Sequence, residues 1–387
     1  ADPNEIWIME MIGKGPGIRG AVWVAVRVPD DCISAHANQS RIHQFDMNDK
    51  ENCMYSPDVV SFAREKGYFN GVNKDFSFSL AYAPLDFGAR RFCEARVWSY
   101  FNKFTDNGKD YLPYIEGKTN TPMPLFVKPK HKLSVQDVKD MMRDHYEGTP
   151  LDISNDFGAG PYKTPYRLSP LNFKVDGQEY FNERPISTQQ SGFVFVAQMR
   201  AHKPDPIGGV LWFGVDDANM AVFTPVYCCA TKVPVCYTRV DGADYITFSW
   251  NSAFWIFNWV ANMVYPRYDL MMGDVRATQT ELETTFNEAQ EGVEAAAAKL
   301  LEKDPAKAKA FLTNYTNMTA QSTFDTWKRL GEFLVVKYND GVVKRMKNGQ
   351  FERNSIGQPA GVIRPGYPKE FLEEYVKQTG DRYKMPE

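Results

Sequence analysis

The sequence predicts an α+β fold, with groups of strands covered by helices. Three observations carry it: period-two apolar alternation near the start, near-continuous apolar runs between residues 192 and 228, and helical periodicity from residue 249 onward. The order is strands, helices, strands, helices, with no internal repeat. Two regions follow from it: a mixed core over residues 1–248, and a mainly helical region over 249–387 packed on that core.

Trp7, Met9 and Met11 would share one face of the first strand, with Ile6, Ile8 and Glu10 on the other. A turn over residues 13–20 leads back into Val22, Val24 and Val26. After the Pro29-Asp30-Asp31 turn, a third strand is expected over residues 33–42. There His36, Asn38, Gln39, Ser40 and Arg41 crowd together. Buried amides and guanidinium groups must find partners, so this crowd predicts either a hydrogen-bond network or a site.

Residues 58–67 read as a short helix, capped by Asp58 and stopped by Gly67. Another helix begins near Phe78, and residues 89–104 have helical spacing. Residues 120–132 look like a surface connection. Ser134 and Asp137 nearly match a capping box and open a helix that Gly148 would stop. The loop over residues 148–170 is dense in turn residues and holds Tyr162, Tyr166 and Arg167. Loops of that length inside domains are usually functional or disordered, and this one lacks low-complexity character, so it reads as ordered.

Strands over 192–200, 209–215 and 221–228 are expected to be buried on both faces. Phe254, Trp255, Phe257, Asn258, Val260 and Ala261 give a buried helix. An amphipathic helix over 281–303 is followed by helices over 304–319 and 321–337. A hairpin-like piece over 342–351 and a last helix over 368–379 complete the chain.

The 387 residues are 43% hydrophobic and 24% charged, an ordinary globular balance. The net charge of −3 provides no basic field for nucleic acid or an anionic membrane, and neither is expected as a partner. The most apolar segment, 248–264, is broken by Asn251, Asn258 and Asn262. The first residues lack the charged and apolar regions of a signal peptide. With no initiator Met, the sequence reads as starting partway through a longer polypeptide. Cys32, Cys53, Cys93, Cys228, Cys229 and Cys236 include no CxxC pair, and none of the five histidines has metal-ligand spacing. Free buried thiols are the expected state, with pairing of Cys228 or Cys229 to Cys236 left open.

GxSxG, HExxH and the P-loop are absent. Gly15-Pro16-Gly17-Ile18-Arg19-Gly20 matches GxGxxG, but a strand rather than a helix follows, which predicts a hairpin turn. Asp216-Asp217 at a strand end reads as turn hydrogen bonding rather than as a metal or acid–base pair. His145 beside Asp144 reads, on residue type alone, as a capping or surface group.

Longer motifs carry a resemblance: MRDHYEGTP (142–150), FGAGPYKTPYR (157–167), ERPISTQQSGFVFVAQMR (183–200), GGVLWFGVDDA (208–218), SAFWIFNWV (252–260) and the run through residues 2–42. Together they resemble the dipeptidase A group of cysteine peptidases. That group lies among the N-terminal-nucleophile hydrolases, related to choloylglycine hydrolase and penicillin acylase. The likeness runs to about residue 340. It implies an αββα sandwich, here without its amino-terminal part, and hydrolysis of dipeptides with no metal and no organic cofactor. It also implies a nucleophilic cysteine at a mature amino terminus upstream of residue 2. None of the six cysteines here matches it. The expected partner is therefore the amino-terminal segment or chain of the same enzyme, and this chain alone is expected to be inactive. A homo-oligomer is left open.

In such chemistry the terminal thiol attacks and its own α-amino group, with a pKa of roughly 7.7–8, serves as base. The resemblance makes Asn38 the oxyanion donor, a contribution of about 2.7–4 kcal/mol where such donors have been removed. It also implies an arginine beside the thiol, Arg96 or, alternatively, Arg91. His36, Arg41, His145 and Asp144 are candidates for lining the cleft and holding a charged end of the substrate. Two rivals remain: an amidase or acylase of the same fold, and a non-catalytic binding chain.

Overall fold

In the computed structural model, which describes residues 4–386, the opening hairpin forms as its alternation predicts. β1 (Trp7–Gly13) pairs antiparallel with β2 (Ala21–Arg27), from Trp7↔Arg27 to Gly13↔Ala21. Met9 and Met11 face solvent, while Ile8 and Ile12 pack inward against the fully buried Val22 and Val24. The intervening turn uses Gly15, Gly17 and Gly20 at φ values of 99°, 78° and 102°, which only glycine adopts at little cost.

The third strand is not where the sequence suggested. β3 is Cys53–Tyr55, paired with β2, and residues 33–42 run as irregular chain with one bridge, Ile33 to Val127. The reason is local. The N–H groups of Arg41 and Ile42 donate to the Glu10 carboxylate instead of to a neighbouring strand, and Asn38 turns the chain with φ 62°.

The helix after β3 spans Val59–Glu65, but the Asp58 side chain pairs with Lys14 rather than capping it. The segment predicted over 89–104 contains a π-turn, Arg90–Glu94, leading into α1 (Ala95–Phe104). A hairpin that the sequence reading did not assign, β4 (Asn172–Val175) with β5 (Gln178–Phe181), turns through Asp176 and Gly177, both at positive φ. These elements belong to one compact unit, the chain up to Met141 together with Ser169–Ile186. Its core joins Val22, Val24, Ile42, Phe62, Phe76 and Phe78. Full burial of such side chains contributes roughly 1.5–3 kcal/mol each.

The second unit comprises Met142–Leu168 and the chain from Ser187 onward. Its sheet has the order β6 (Phe193–Met199), β7 (Gly209–Val215), β8 (Thr224–Tyr227), all antiparallel. Burial on both faces holds for β7. It fails for β6, an edge strand whose Phe193, Phe195 and Met199 are exposed while Val194 and Val196 point inward.

Three helices follow: α2 (Ala253–Val264), α3 (Tyr268–Leu301) and α4 (Pro305–Tyr338). α4 replaces the two helices predicted over 304–319 and 321–337. Asp304 caps it, accepting from Ala306 N at 3.0 Å and Lys307 N at 3.2 Å, and no breaker follows. Phe257 stacks on Trp327 at 4.6 Å. A side chain at Gly331 would lie 2.2 Å from the Trp259 ring, so α2 and α4 approach closely only because that position is glycine.

The helix opened by Ser134 is Val135–Met141, well short of Gly148. The Asp144 carboxylate accepts from Tyr146 N at 3.2 Å, a local bond that competes with the helix. Helices and sheets are mixed in both units, as α+β requires. Among the described residues no helix is long and apolar enough to cross a membrane.

Candidate active site

The polar crowd at 36–41 is organised by two buried glutamates of the first unit. Glu10 points inward from β1 and is 8% exposed. Its carboxylate accepts from Ser40 Oγ, from Arg41 N at 2.5 Å and from Ile42 N at 2.9 Å, and His36 Nε2 lies 2.9 Å away. Burial pushes this carboxyl up, but the bonds from His36, Ser40 and the two amides outweigh it and hold the pKa below its ordinary value.

Glu94, at the end of the π-turn, is 2% exposed and accepts from Arg41 Nε at 2.8 Å. Gln39 Nε2 donates to the same oxygen. Here burial prevails over the Arg41 charge and the pKa is raised. The rest of the Arg41 guanidinium goes to the carbonyls of Ala35 and Pro124, both at 2.9 Å. Expected to line a cleft, Arg41 is instead buried as a strut that ties residues 35–41 to the π-turn and to residue 124.

Asn38 and Arg96 meet on this frame. In the π-turn Ala95 N–H reaches back to Arg90 O, and Arg96 Nε takes up the carbonyl of Phe92 at 2.8 Å. Arg96 Nη2 then donates to Asn38 Oδ1 at 2.8 Å and to Ala37 O at 3.4 Å. Asn38 itself is exposed. With its oxygen held by the guanidinium, its Nδ2 hydrogens are the donors left for a further acceptor. Arg91 turns elsewhere, pairing with Glu183 beside a cleft of about 680 Å³ against the β4–β5 hairpin.

Asp144 and His145 belong to the second unit. Both are buried rather than at the surface. His145 Nδ1 lies 3.0 Å from Glu147 Oε1, and the Asp144 carbonyl accepts from Ser187 N at 3.0 Å. The same unit buries Asp216 and Asp217 almost completely. Asn258 Nδ2 donates to Asp216 Oδ1 at 3.0 Å and Met220 N to Asp217 Oδ1 at 3.1 Å; the Tyr265 hydroxyl and the Asn219 N–H also bear on the Asp217 carboxyl, while Asp216 Oδ2 has no hydrogen-bond partner. Burial pushes both carboxyls up, and the Asp217 charge raises Asp216 further.

All six cysteines are free, so neither Cys228 nor Cys229 is joined to Cys236, but only Cys53 and Cys236 are buried as expected; Cys228 is exposed and the other three are half-buried. Burial pushes the thiols of Cys32, Cys53, Cys228 and Cys229 up, and that of Cys236 to about 11, the opposite of an activated nucleophile. Among the described residues no group of three or more His, Cys, Asp or Glu is placed to hold a metal ion.

Comparison with known proteins decides the affiliation. The model of peptidase family C69 matches residues 1–281, a span holding Glu10, Asn38, Arg96, His145 and Asp217. The chain belongs to peptidase family C69. Among the relatives of this C69 chain, a probable dipeptidase of Salmonella dublin is 30% identical over 226 residues, covering 58% of this chain and 45% of the relative. A probable dipeptidase of Latilactobacillus sakei is 26% identical, covering 81% and 58%. A probable dipeptidase B of Lactococcus lactis subsp. lactis is 27% identical, covering 87% and 63%. The chain thus spans about half the length of the curated relatives it matches. The family affiliation drawn from the sequence motifs stands.

Sequence reasoning misses the two C69 residues on which the polar cluster rests, Glu10 and Glu94. The one signal available for Glu10 was its position between Ile8 and Ile12, the apolar side of β1, where a carboxylate demands partners. Glu94 sits in a helical run rich in charge and carries no comparable mark.

Proposed function

We propose that this chain supplies the oxyanion side of the active site of a cysteine dipeptidase. The observation that supports it most is the Asn38–Arg96 pair: the guanidinium fixes the amide oxygen and leaves the amide hydrogens to a substrate. In this reading a thiol attacks the peptide carbonyl, and its proton passes to the α-amino group of the same cysteine. The tetrahedral oxyanion accepts from Asn38 Nδ2. Collapse breaks the C–N bond, the departing amine takes the proton, and water then hydrolyses the thioester.

The raised thiols argue against Cys32, Cys53, Cys228, Cys229 and Cys236 as nucleophile, so the reading assigns that thiol to an amino-terminal segment of the same enzyme. Arg96 acts in this account by positioning Asn38 and by adding positive potential on that wall. His36 is the group beside Asn38 left to meet a charged end of the dipeptide, whereas Arg41 is withdrawn into the frame. The proposed fold is the αββα arrangement of N-terminal-nucleophile hydrolases, with residues 1–248 in the core and 249–387 as helical cover. It needs no metal and no organic cofactor.

The test is turnover by the complete enzyme on a dipeptide panel and on N-acyl amino acids. Cleavage of dipeptides is expected. Turnover of the acylated amino acids alone would make it an acylase, and turnover of neither would leave a non-catalytic chain.

A further inference from the structure

The β4–β5 hairpin is remote in sequence from Asn38 and Arg96, yet it docks on the element that carries Arg96. Its strands are exposed at every position but Phe181, which is half-buried. Glu183, two residues further on, is buried. These two side chains reach the same place. The Phe181 and Phe92 rings meet edge to face with centroids 4.4 Å apart, and Glu183 pairs with Arg91. Arg91 and Phe92 are consecutive residues of the π-turn.

A π-turn is a rare departure from the α-helix, and such single turns recur at functional sites. The two ends of this one are fixed from elsewhere in the unit. Arg90 Nη1 donates to the Thr119 carbonyl at 3.1 Å, and Glu94 accepts from Arg41 Nε at 2.8 Å. The hairpin holds the middle. That middle matters because the Phe92 carbonyl accepts from Arg96 Nε at 2.8 Å, the bond that aims Nη2 at Asn38 Oδ1. A space of about 680 Å³ separates the rest of the hairpin from residues 86–91 and leaves it room to move.

We propose that the hairpin is a latch for the Arg96–Asn38 pair, with Phe181 and Glu183 as positioning residues that act through Phe92. Docked, the Phe181 ring fixes Phe92, and the Phe92 carbonyl orients the guanidinium that holds the Asn38 oxygen. Undocked, Phe92 loses that ring and Arg96 loses its fixed acceptor, so the Asn38 amide is no longer aimed. Because exposed strands contribute little to the core, the latch opens while the β1–β2 hairpin stays folded. Its effect on rate rests on the reading of Asn38 as oxyanion donor; its effect on Arg96 does not.

The test follows the Nε–H signal of Arg96 by ¹⁵N NMR, assigned by its disappearance in Arg96→Lys. Phe181→Ala should speed its exchange with water at least roughly tenfold, while the backbone amides of β1 and β2 keep their wild-type exchange. Phe181→Tyr keeps the ring and should keep the slow exchange. Glu183→Gln should act in the same direction as Phe181→Ala but less, and it decides the matter if Phe181→Ala does not fold. In dipeptide turnover by the complete protein, Phe181→Ala should lower kcat at least roughly tenfold with little change in KM. Wild-type exchange at Arg96 Nε in the folded variant would overturn the latch, as would faster exchange shared equally by β1 and β2. Faster exchange beside an unchanged kcat would overturn its role in the reaction. A complete protein that cleaves no dipeptide would sink the dipeptidase reading instead, and the exchange rates would still judge the latch.

Discussion

Glu10 in the first unit and Asp216 in the second are both nearly sealed from solvent, at 8% and 1% exposure, yet their carboxyls move in opposite directions. Burial favours the neutral form of each. Glu10 receives a hydroxyl, two backbone amides and the His36 ring, and stays a carboxylate. Asp216 receives the Asn258 amide and the backbone N–H of Asp217, faces the like charge of Asp217, and leaves Oδ2 unpartnered. Glu94 lies between them: an arginine and a glutamine share one of its oxygens, and burial still prevails. The supply of donors, more than depth, decides which way the pKa of a buried acid moves. Glu10, whose pKa is lowered, organises the segment that presents Asn38.

The largest test of this contrast removes the counter-charge. Arg41→Met leaves Glu94 buried beside Gln39 alone, and urea unfolding should show a loss of about 3–5 kcal/mol. A loss below roughly 1 kcal/mol would mean the frame does not depend on the ion pair.

Next is Glu10→Gln, which keeps the shape but trades a charged acceptor of several donors for an amide. A loss of about 1.5–3 kcal/mol is expected at neutral pH. Because the folded pKa of Glu10 is depressed, its contribution is complete above the unfolded value near 4.3 and is lost as pH falls through the folded pKa. The gap between wild type and variant should therefore close in acid. A gap that is the same at all pH values would remove the charge from the explanation.

Asp216→Asn should have the smallest effect and the reverse sign. A raised folded pKa contributes stability below the unfolded value near 3.9, and that contribution is lost as pH rises through the folded pKa. The variant cannot ionise, and asparagine tolerates the φ of 68° at this position. Its stability should show less decline with rising pH than wild type and be no lower at neutral pH. A variant clearly less stable than wild type at neutral pH would show that the Asp216 charge is supported after all.

The same contrast explains what was legible in the sequence. Period-two alternation marked the β1–β2 hairpin because Val22 and Val24 fill a core, and the crowd at 36–41 was correctly suspected of being a network or a site. Its conformation was not legible. Residues 33–42 look like a strand until Glu10 claims their N–H groups, and a single glutamate among apolar neighbours has no motif to announce that. The two helices read over 304–319 and 321–337 are one, because nothing at Ala320 interrupts α4. The β4–β5 hairpin turns on Asp176-Gly177, a dipeptide whose signal is weak inside a polar stretch.

In the proposed function the frame built on Glu10 and Glu94 holds Asn38 with its amide hydrogens available to an oxyanion. Asn38→Gly tests it most directly, since glycine accepts the φ of 62° and removes only the amide. The measurement is kcat of the complete protein on a dipeptide, under the dipeptidase activity proposed above. A fall of at least roughly tenfold with an unchanged Tm is predicted, and an unchanged kcat would contradict the account.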